Sequence, residues 1–302
     1  MADMRSYVSG NFVLNLDGKS CGFLKSVAGG GAMADVVNEK IGADHFVHKH
    51  ISGVKYEELE MDFSFSMTPS LFDWIAASWS ANSQRKSGSI LACDAGHAIK
   101  NEREFHNALI TETVIPACDG ASKEQGYFKL KVAPEYTRTK AGSGKTDATY
   151  SKTHDKLWCS NNFRLEIDGL DATKVNRIES FSVKQKVAVE AVGELRDYQK
   201  EPGTIEFPNL KITLSEASAQ KWNDWFEDFV VKGNCGEDKE KSGTLTFLTP
   251  NLKTAVGSLK FEHLGIFKLS PEPASANSER IRRVTAELYC ERMIFAVGSP
   301  KT

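Results

Sequence analysis

Two stretches of the chain carry residue types that could do chemistry. AGSGKTDA (141–148) contains the Gly-Lys-Thr of a phosphate-binding loop, where backbone N–H groups cradle phosphate and the lysine reaches it. That motif needs a glycine six positions before the lysine, but Thr139 stands there and no buried strand leads in. HFVHKH (45–50) brings together His45, His48 and His50, a donor type that zinc takes. The matching stretch further on, ELRDYQKEPG, holds no histidine, so the three read as solvated loop residues. No GxSxG, HExxH or local Cys–His signature presents a nucleophile. Trp74/Trp79 and Trp222/Trp225 stand at helical spacing and read as core. The expectation is a non-enzymatic protein with no cofactor and no metal site.

Composition narrows the class further. The chain has 302 residues, about two domains' worth. It is 40% hydrophobic and 26% charged, enough apolar residues for ordinary cores. A formal net charge of −2 argues against a protein that coats DNA, which needs a basic excess to hold phosphates. No apolar run reaches the length of a membrane span, and MADMRSYVSG lacks a signal-peptide core. The six cysteines (Cys21, Cys93, Cys118, Cys159, Cys235, Cys290) are dispersed without a CxxC pair. Reduced thiols in a soluble intracellular protein are expected.

The chain also repeats itself. NFVLNLDG (11–18) returns as NFRLEIDG (162–169), five of the eight positions identical. Trp74 and Trp225 lie at the same displacement of 151 positions. KSGSI (86–90) returns as KSGTL (241–245), and Phe105 matches Phe261 with a small drift. The order of anchors is kept, as tandem duplication requires. Residues 1–136 and 157–302 are the expected domains. The Gly/Ser/Thr/Lys-rich span 137–156 reads as an exposed linker.

Each half alternates as a half-buried strand does: Phe163, Leu165 and Ile167 on one face, Arg164 and Glu166 on the other. Asp17-Gly18 and Asp168-Gly169 are hairpin turn signals. LEMDFSFSM (59–67), RIESFSVKQKVAVEAV, FPNLKITL and the runs after the helix read as further strands. One helix interrupts each set. Thr68 and Pro69 open the first, with Leu71, Trp74, Ile75 and Ser78 on one stripe. Ser215 or Ser218 opens the second, with Trp222, Trp225, Phe226 and Phe229 on its stripe and Gly233 closing it. The expected fold class is mainly β: two tandem copies of a β-barrel or sandwich with one flanking helix, Trp74 and Trp225 in the two cores.

The motifs that follow the first strands carry a resemblance. FRLEIDG and then VEAVGELRDYQKEPGTIEFPNLKITL resemble the tail tube proteins of contractile bacteriophages and related injection systems. The matching residues are Phe163, Ile167, Asp168, Gly169, Tyr198, Pro202, Gly203, Phe207, Asn209, Leu210 and Leu214. In the first half Phe12, Asp17, Gly18, Gly53, Tyr56 and Leu59 match, with Ser52 in place of the proline. SFS and SEA stand where the family has a basic-Gly ending.

The resemblance implies a structural protein of a virion tail, assembled in the host cytoplasm. It would form stacked rings, either trimers with pseudo-six-fold symmetry or hexamers. Sheath and baseplate proteins would be its neighbours, and DNA would pass the channel without specific binding. Assembly would use strand edges and the loops near 36–53 and 187–203. His50, Gly53, Tyr56, Tyr198, Pro202, Gly203 and Phe207 are the candidate assembly residues. The alternative is a duplicated β-barrel module that binds a small ligand or peptide.

Overall fold

The computed structural model of the chain describes residues 10–40, 45–148, 158–191, 197–273 and 281–298. The first half forms β1 (Asn11–Leu16), β2 (Lys19–Leu24), β3 (Ser26–Gly29), β4 (Ala32–Glu39), β5 (His48–Tyr56), β6 (Leu59–Phe63) and helix α1 (Pro69–Trp79). It continues with β7 (Lys86–Cys93), β8 (Ile99–Ile115), β9 (Cys118–Asp119), β10 (Phe128–Ala133) and β11 (Tyr136–Ala141). The second half forms β12 (Phe163–Ile167), β13 (Val175–Ile178), β14 (Phe181–Glu190), β15 (Gln199–Glu206), β16 (Leu210–Ser215) and helix α2 (Gln220–Phe226). β17 (Lys241–Leu248), β18 (Ala255–Pro271) and β19 (Arg283–Val297) complete it. The fold is mainly β with a helix in each half, as expected.

The two halves share one strand order. β1-β7-β8-β10-β6-β3 runs through the first sheet and β12-β17-β18-β19-β16-β13 through the second. The likeness extends to single residues. Leu16 lies opposite Gly88, and Ile167 opposite Gly243. Gly88 pairs with Phe105 as Gly243 pairs with Phe261. Between β8 and β10 the register slips after Val132↔Ile110, and between β18 and β19 it slips after Leu288↔Ile266, the same place in each copy. Asn107 and His263, both at positive φ, occupy equivalent positions. A bulge retained at one position in both halves is a built feature of the strand.

The helices differ more than the strands. Thr68 is the residue before α1 and Pro69 its first, though the Thr68 side chain makes no cap hydrogen bond. Leu71, Trp74, Ile75 and Ser78 are buried, as the stripe requires. In the second half a 3-10 turn spans Glu216–Ser218 and α2 starts after Ala219, so neither Ser215 nor Ser218 caps it. The last turn widens into a π-helical stretch, Glu227–Val231, and Gly233 follows at φ 72. A left-handed residue just past the end is where glycine stops a helix without steric cost.

Trp74 is 1% exposed and its indole N–H donates to the Gln84 carbonyl oxygen at 2.8 Å. Trp225 is 8% exposed with no partner for its buried Nε1, while Trp222 lies deeper and donates to the Asp171 carbonyl oxygen.

One apolar core runs through both halves. At its centre Phe65 and Phe128 face Phe247 at 5.3 and 5.8 Å between ring centroids, and Phe72 faces Phe295 at 5.8 Å. Trp158, fully buried, closes on Phe247 at 5.0 Å. Tilted and edge-on contacts of this kind suit the quadrupoles of aromatic rings. Strands cross over as well: β14 pairs with β8, and β9 with β13.

The span expected to be a linker differs in its first part. Tyr136–Ala141 is a strand, β11, paired with His106–Asn101 of β8 and continuing the edge that β10 begins. TRTKA alternates poorly in hydrophobicity because most of its side chains lie at the surface, so backbone pairing alone identifies it. Residues 149–156 of the span lie outside the described residues.

Two predictions follow from this packing. A protease site inserted after Gly144 should give a nicked chain that still elutes at full size under native conditions, since strands and rings hold the halves together. Separation into half-size fragments would contradict the shared core. Trp74→Ala should lower unfolding free energy by about 3–5 kcal/mol in chemical denaturation. Trp225→Ala should cost less, because it removes an indole N–H that is buried without a partner.

Candidate assembly surface

The hairpins β4–β5 and β14–β15 hold the candidate assembly residues, and they are equivalent strand by strand. Met33 opposes Lys55 as Lys184 opposes Glu206, and both pairs lie 151 positions apart. Each hairpin is bulged at the same place, between Ala34 and Val36 and between Gln185 and Val187. Residues read as loops in the sequence are therefore largely strand. His48 and His50 lie on β5 rather than in a loop, and His50 Nε2 stands 3.7 Å from a Glu39 carboxylate oxygen. The register also corrects the sequence alignment by one position. Pro202 faces Val187 as Ile51 faces Val36, so Ile51, not Ser52, occupies the place of the proline.

The second hairpin is docked on the first half. Phe181–Lys184 of β14 lie antiparallel to Ile115–Glu112 of β8. The Ser180 hydroxyl donates to the Ile115 carbonyl oxygen at 2.9 Å. Gln185, 7% exposed, accepts from the Ser78 hydroxyl of α1 at 2.7 Å and donates to the Ser83 hydroxyl at 2.6 Å. Buried amides keep their place only when both ends are satisfied, and here both are. Arg85 donates to the Lys200 carbonyl oxygen and pairs with the Glu201 carboxylate at 2.5 Å. The Lys200 backbone N–H donates to Glu135, which also accepts from Asn107. Burial pulls the Lys200 ammonium below its ordinary pKa, with Glu58 and Glu135 acting in the other direction.

The turn end of the second hairpin meets the open end of the first. Tyr56 Oη donates to the Asp197 carboxylate at 3.1 Å and accepts from the Arg138 guanidinium at 2.6 Å. Arg138 also reaches Asp197 at 3.3 Å and stacks over the Tyr136 ring. Gly53 lies beneath Tyr198, where an added Cβ would stand 2.7 Å from the phenol oxygen. Phe207 meets Trp79 edge-on at 6.3 Å. Pro202 and Gly203 are exposed on β15, and Gly203 borders an open groove of about 440 Å³ with Trp79, Phe207 and Glu291.

So the structure brings Gly53 to Tyr198 and Tyr56 to the residue beside it, and leaves His50 apart, exposed near the turn end of β4–β5 opposite Val37. Arg85, Gln185, Glu135 and Arg138 were missed by sequence reasoning. Each acts across 59 or more positions, and nothing in their local spacing signals it.

Among the described residues, metal-ligand spacing occurs away from HFVHKH, at Glu240, His263 and Glu291, whose ligand atoms lie within 4.8 Å of one another. His263 Nδ1 is 2.7 Å from one Glu240 oxygen and the Tyr289 hydroxyl donates to the other. The hydrogen bond that His263 donates to Glu240 raises the His263 pKa above its ordinary value. AGSGKTDA opens no helix; Lys145 instead bridges to Ala98.

Glu112 ties the docked hairpin to pH. Its burial disfavours the charged carboxylate, but the hydrogen bonds from Ser182 of β14 and from Lys131, with the Lys184 charge, outweigh it, and its pKa lies below the ordinary 4.5. A carboxylate held below its unfolded value stabilises at pH above that value and loses the contribution as pH falls through the folded pKa. The amide protection factors in β14, exchange rates taken relative to the unfolded chain at the same pH, should therefore fall on acidification below about 4.5 more in the native chain than in Glu112→Gln. An equal response in both would exclude Glu112 as the cause.

No protein-family profile matches this sequence, and no curated protein is similar to it. Solved structures do match over about half of the chain. The tube-terminating cap of the anti-feeding prophage is 16% identical, covering 47% of this chain and 95% of that one, with a TM-score of 0.42. The sheath–tube complex of an extracellular contractile injection system (PVC) contains a chain 16% identical, covering 46% and 93%, with a TM-score of 0.41. Hcp1 from Flavobacterium johnsoniae is 14% identical, covering 45% and 99%, with a TM-score of 0.30. The chain is thus similar to cap, tube and Hcp proteins over about half of its own length.

Proposed function

We propose that this chain is a structural protein that self-assembles into the ring-stacked inner tube of a contractile phage tail or related injection system. The observation that carries the reading is the docked hairpin. One copy of a repeated unit adds its β14 to the edge of the other copy's β8, a heterologous contact between like units. Contacts of that type close into rings when repeated around an axis. The motif resemblance from Phe163 to Leu214 supports the same class.

In this reading residues 1–136 and 157–302 are two tube units, the product of tandem duplication, with β11 completing the first and the rest of 137–156 joining them. Three chains then supply six ring positions. Sheath and baseplate proteins are the outer partners, and the assembly resides in the tail. The near-neutral charge suits a conduit, because a basic lumen would retain passing DNA. No catalytic residue is assigned.

Electron microscopy of the purified full-length chain tests this. Rings or tubes with three chains per layer and pseudo-six-fold outline are expected. Six chains per layer would overturn the trimer and leave the tube standing. A compact monomer at every concentration would overturn the tube.

A further inference from the structure

The joint inside the chain has a counterpart whose two sides are both present and separated. The residues equivalent to Phe181–Lys184 of β14 are Gly30–Met33, at the start of hairpin β4–β5. Those equivalent to Ile115–Glu112 of β8 are Pro271–Lys268 of β18. Among the described residues β4 pairs only with β5. β17 follows β18 only as far as Leu264, so the Lys268–Pro271 stretch pairs with β19 on one side alone. Gly29 and Gly30, both at positive φ, turn the first hairpin away from the strand that precedes it. Side chains there differ accordingly: Met33, Val36 and Ile51 are 50%, 58% and 64% exposed.

Charge completes the match. In the joint within the chain, Arg85 pairs with Glu201, and Glu135 receives the backbone of Lys200. The positions equivalent to Arg85 and Glu135 are Glu240 and Glu291. Those equivalent to Lys200 and Glu201 are Lys49 and His50. At one pair the charges have changed places: arginine facing glutamate within the chain becomes glutamate facing histidine. Glu240, with only 7% of its side chain exposed, already accepts from Tyr289 and His263, and a carboxylate has lone pairs left for more. Glu291 is exposed beside it. The basic HKH stretch of β5 and the carboxylate group near β18 are thus opposite in charge and stand at the positions that meet in the joint within the chain.

We propose that hairpin β4–β5 of one copy adds to the free edge of β18 in a second copy, in the register of β14 on β8, with Lys49 and His50 against Glu240 and Glu291. The proposal rests on the ring-forming reading above and names its intermolecular contact. Ala32 then lies opposite Leu269, and Met33 opposite Lys268. Backbone pairing supplies the contact and the charges select the partner.

Paired cysteines in the full-length chain test the register. With Cys235→Ser as background, Ala32→Cys/Leu269→Cys and Met33→Cys/Lys268→Cys place thiols on directly opposed residues, within the reach of a disulfide. Oxidation should give dimers and trimers on a non-reducing denaturing gel. Val183→Cys/Thr113→Cys should cross-link only within one chain. Lys49→Glu and Glu291→Lys, both at exposed positions, should each weaken association about tenfold or more, and the double variant Lys49→Glu/Glu291→Lys, which restores opposite charges at every joint, should recover most of it. Circular dichroism establishes that the variants remain folded.

Rings seen by microscopy without cross-linking at either pair would overturn this contact and leave the ring reading intact. Absence of any oligomer in the native chain would overturn both. A chain that stays monomeric but gains thermal stability from zinc would reassign Glu240, His263 and Glu291 to a cation.

Discussion

A bare strand edge in the middle of a sheet is the constraint on which this structure turns. β8 runs for 17 residues, longer than β7, so the end of one edge extends past its neighbour. Backbone N–H and C=O groups left unpaired in a buried setting cost about as much as a lost hydrogen bond each. β14 covers that end, and doing so commits the second half to a position. Once the hairpin is placed, Gln185 reaches α1, Arg85 reaches β15, and Asp197 reaches Tyr56 at the tip. The aromatic centre is formed by the same approach of the halves. Phe65, Phe128 and Phe247 can meet only when both sheets present their inner faces to one another.

Strand pairing and side-chain chemistry have been kept to different degrees in the two halves. Register, bulges and even the positive-φ residue in the long strand are common to both, because they fix backbone geometry that the whole sheet shares. The helix starts differ, with proline opening one and a 3-10 turn preceding the other, because a helix packed on the flank is bound by fewer neighbours. At the joints the backbone role persists while the side chains change sign. That pattern is expected where geometry must repeat but partners must be told apart.

The strands and their repeat were legible because both depend on local alternation, as in NFVLNL and FRLEI. Trp74 was legible from helical spacing. β11 was not, since an edge strand with exposed side chains carries no hydrophobic period. The hairpins read as loops for a similar reason: β4 and β5 are two exposed strands of a separate two-stranded sheet, mostly charged or small. The one-residue slip at Pro202 came from aligning Gly53 with Gly203, whereas the strand register makes Ile51 and Pro202 equivalent and so puts Ser52 in the place of Gly203. Trp158 stands alone in a polar stretch, and only the ring cluster around it explains its burial. The Tyr56–Arg138–Asp197 group is assembled from three elements far apart in sequence, which no local window contains.

The change of sign at the joint also answers how two equivalent hairpins find different edges. Both have the same backbone, so hydrogen bonding alone would let β4–β5 compete for β8 and β14–β15 for β18. Glu201 suits Arg85 and would be repelled by Glu240 and Glu291, whereas Lys49 and His50 suit those carboxylates and bring nothing to offset Arg85. Like charges facing one another at the wrong edge oppose pairing there, so the charges select by rejection as well as by attraction. Covalent linkage adds the rest. Within one chain the β14–β8 contact forms at the high effective concentration of a tether, so it closes first and leaves only the other edge open to a neighbour. Growth then proceeds through one kind of contact between molecules, and a single repeated heterologous contact is what a closed ring needs.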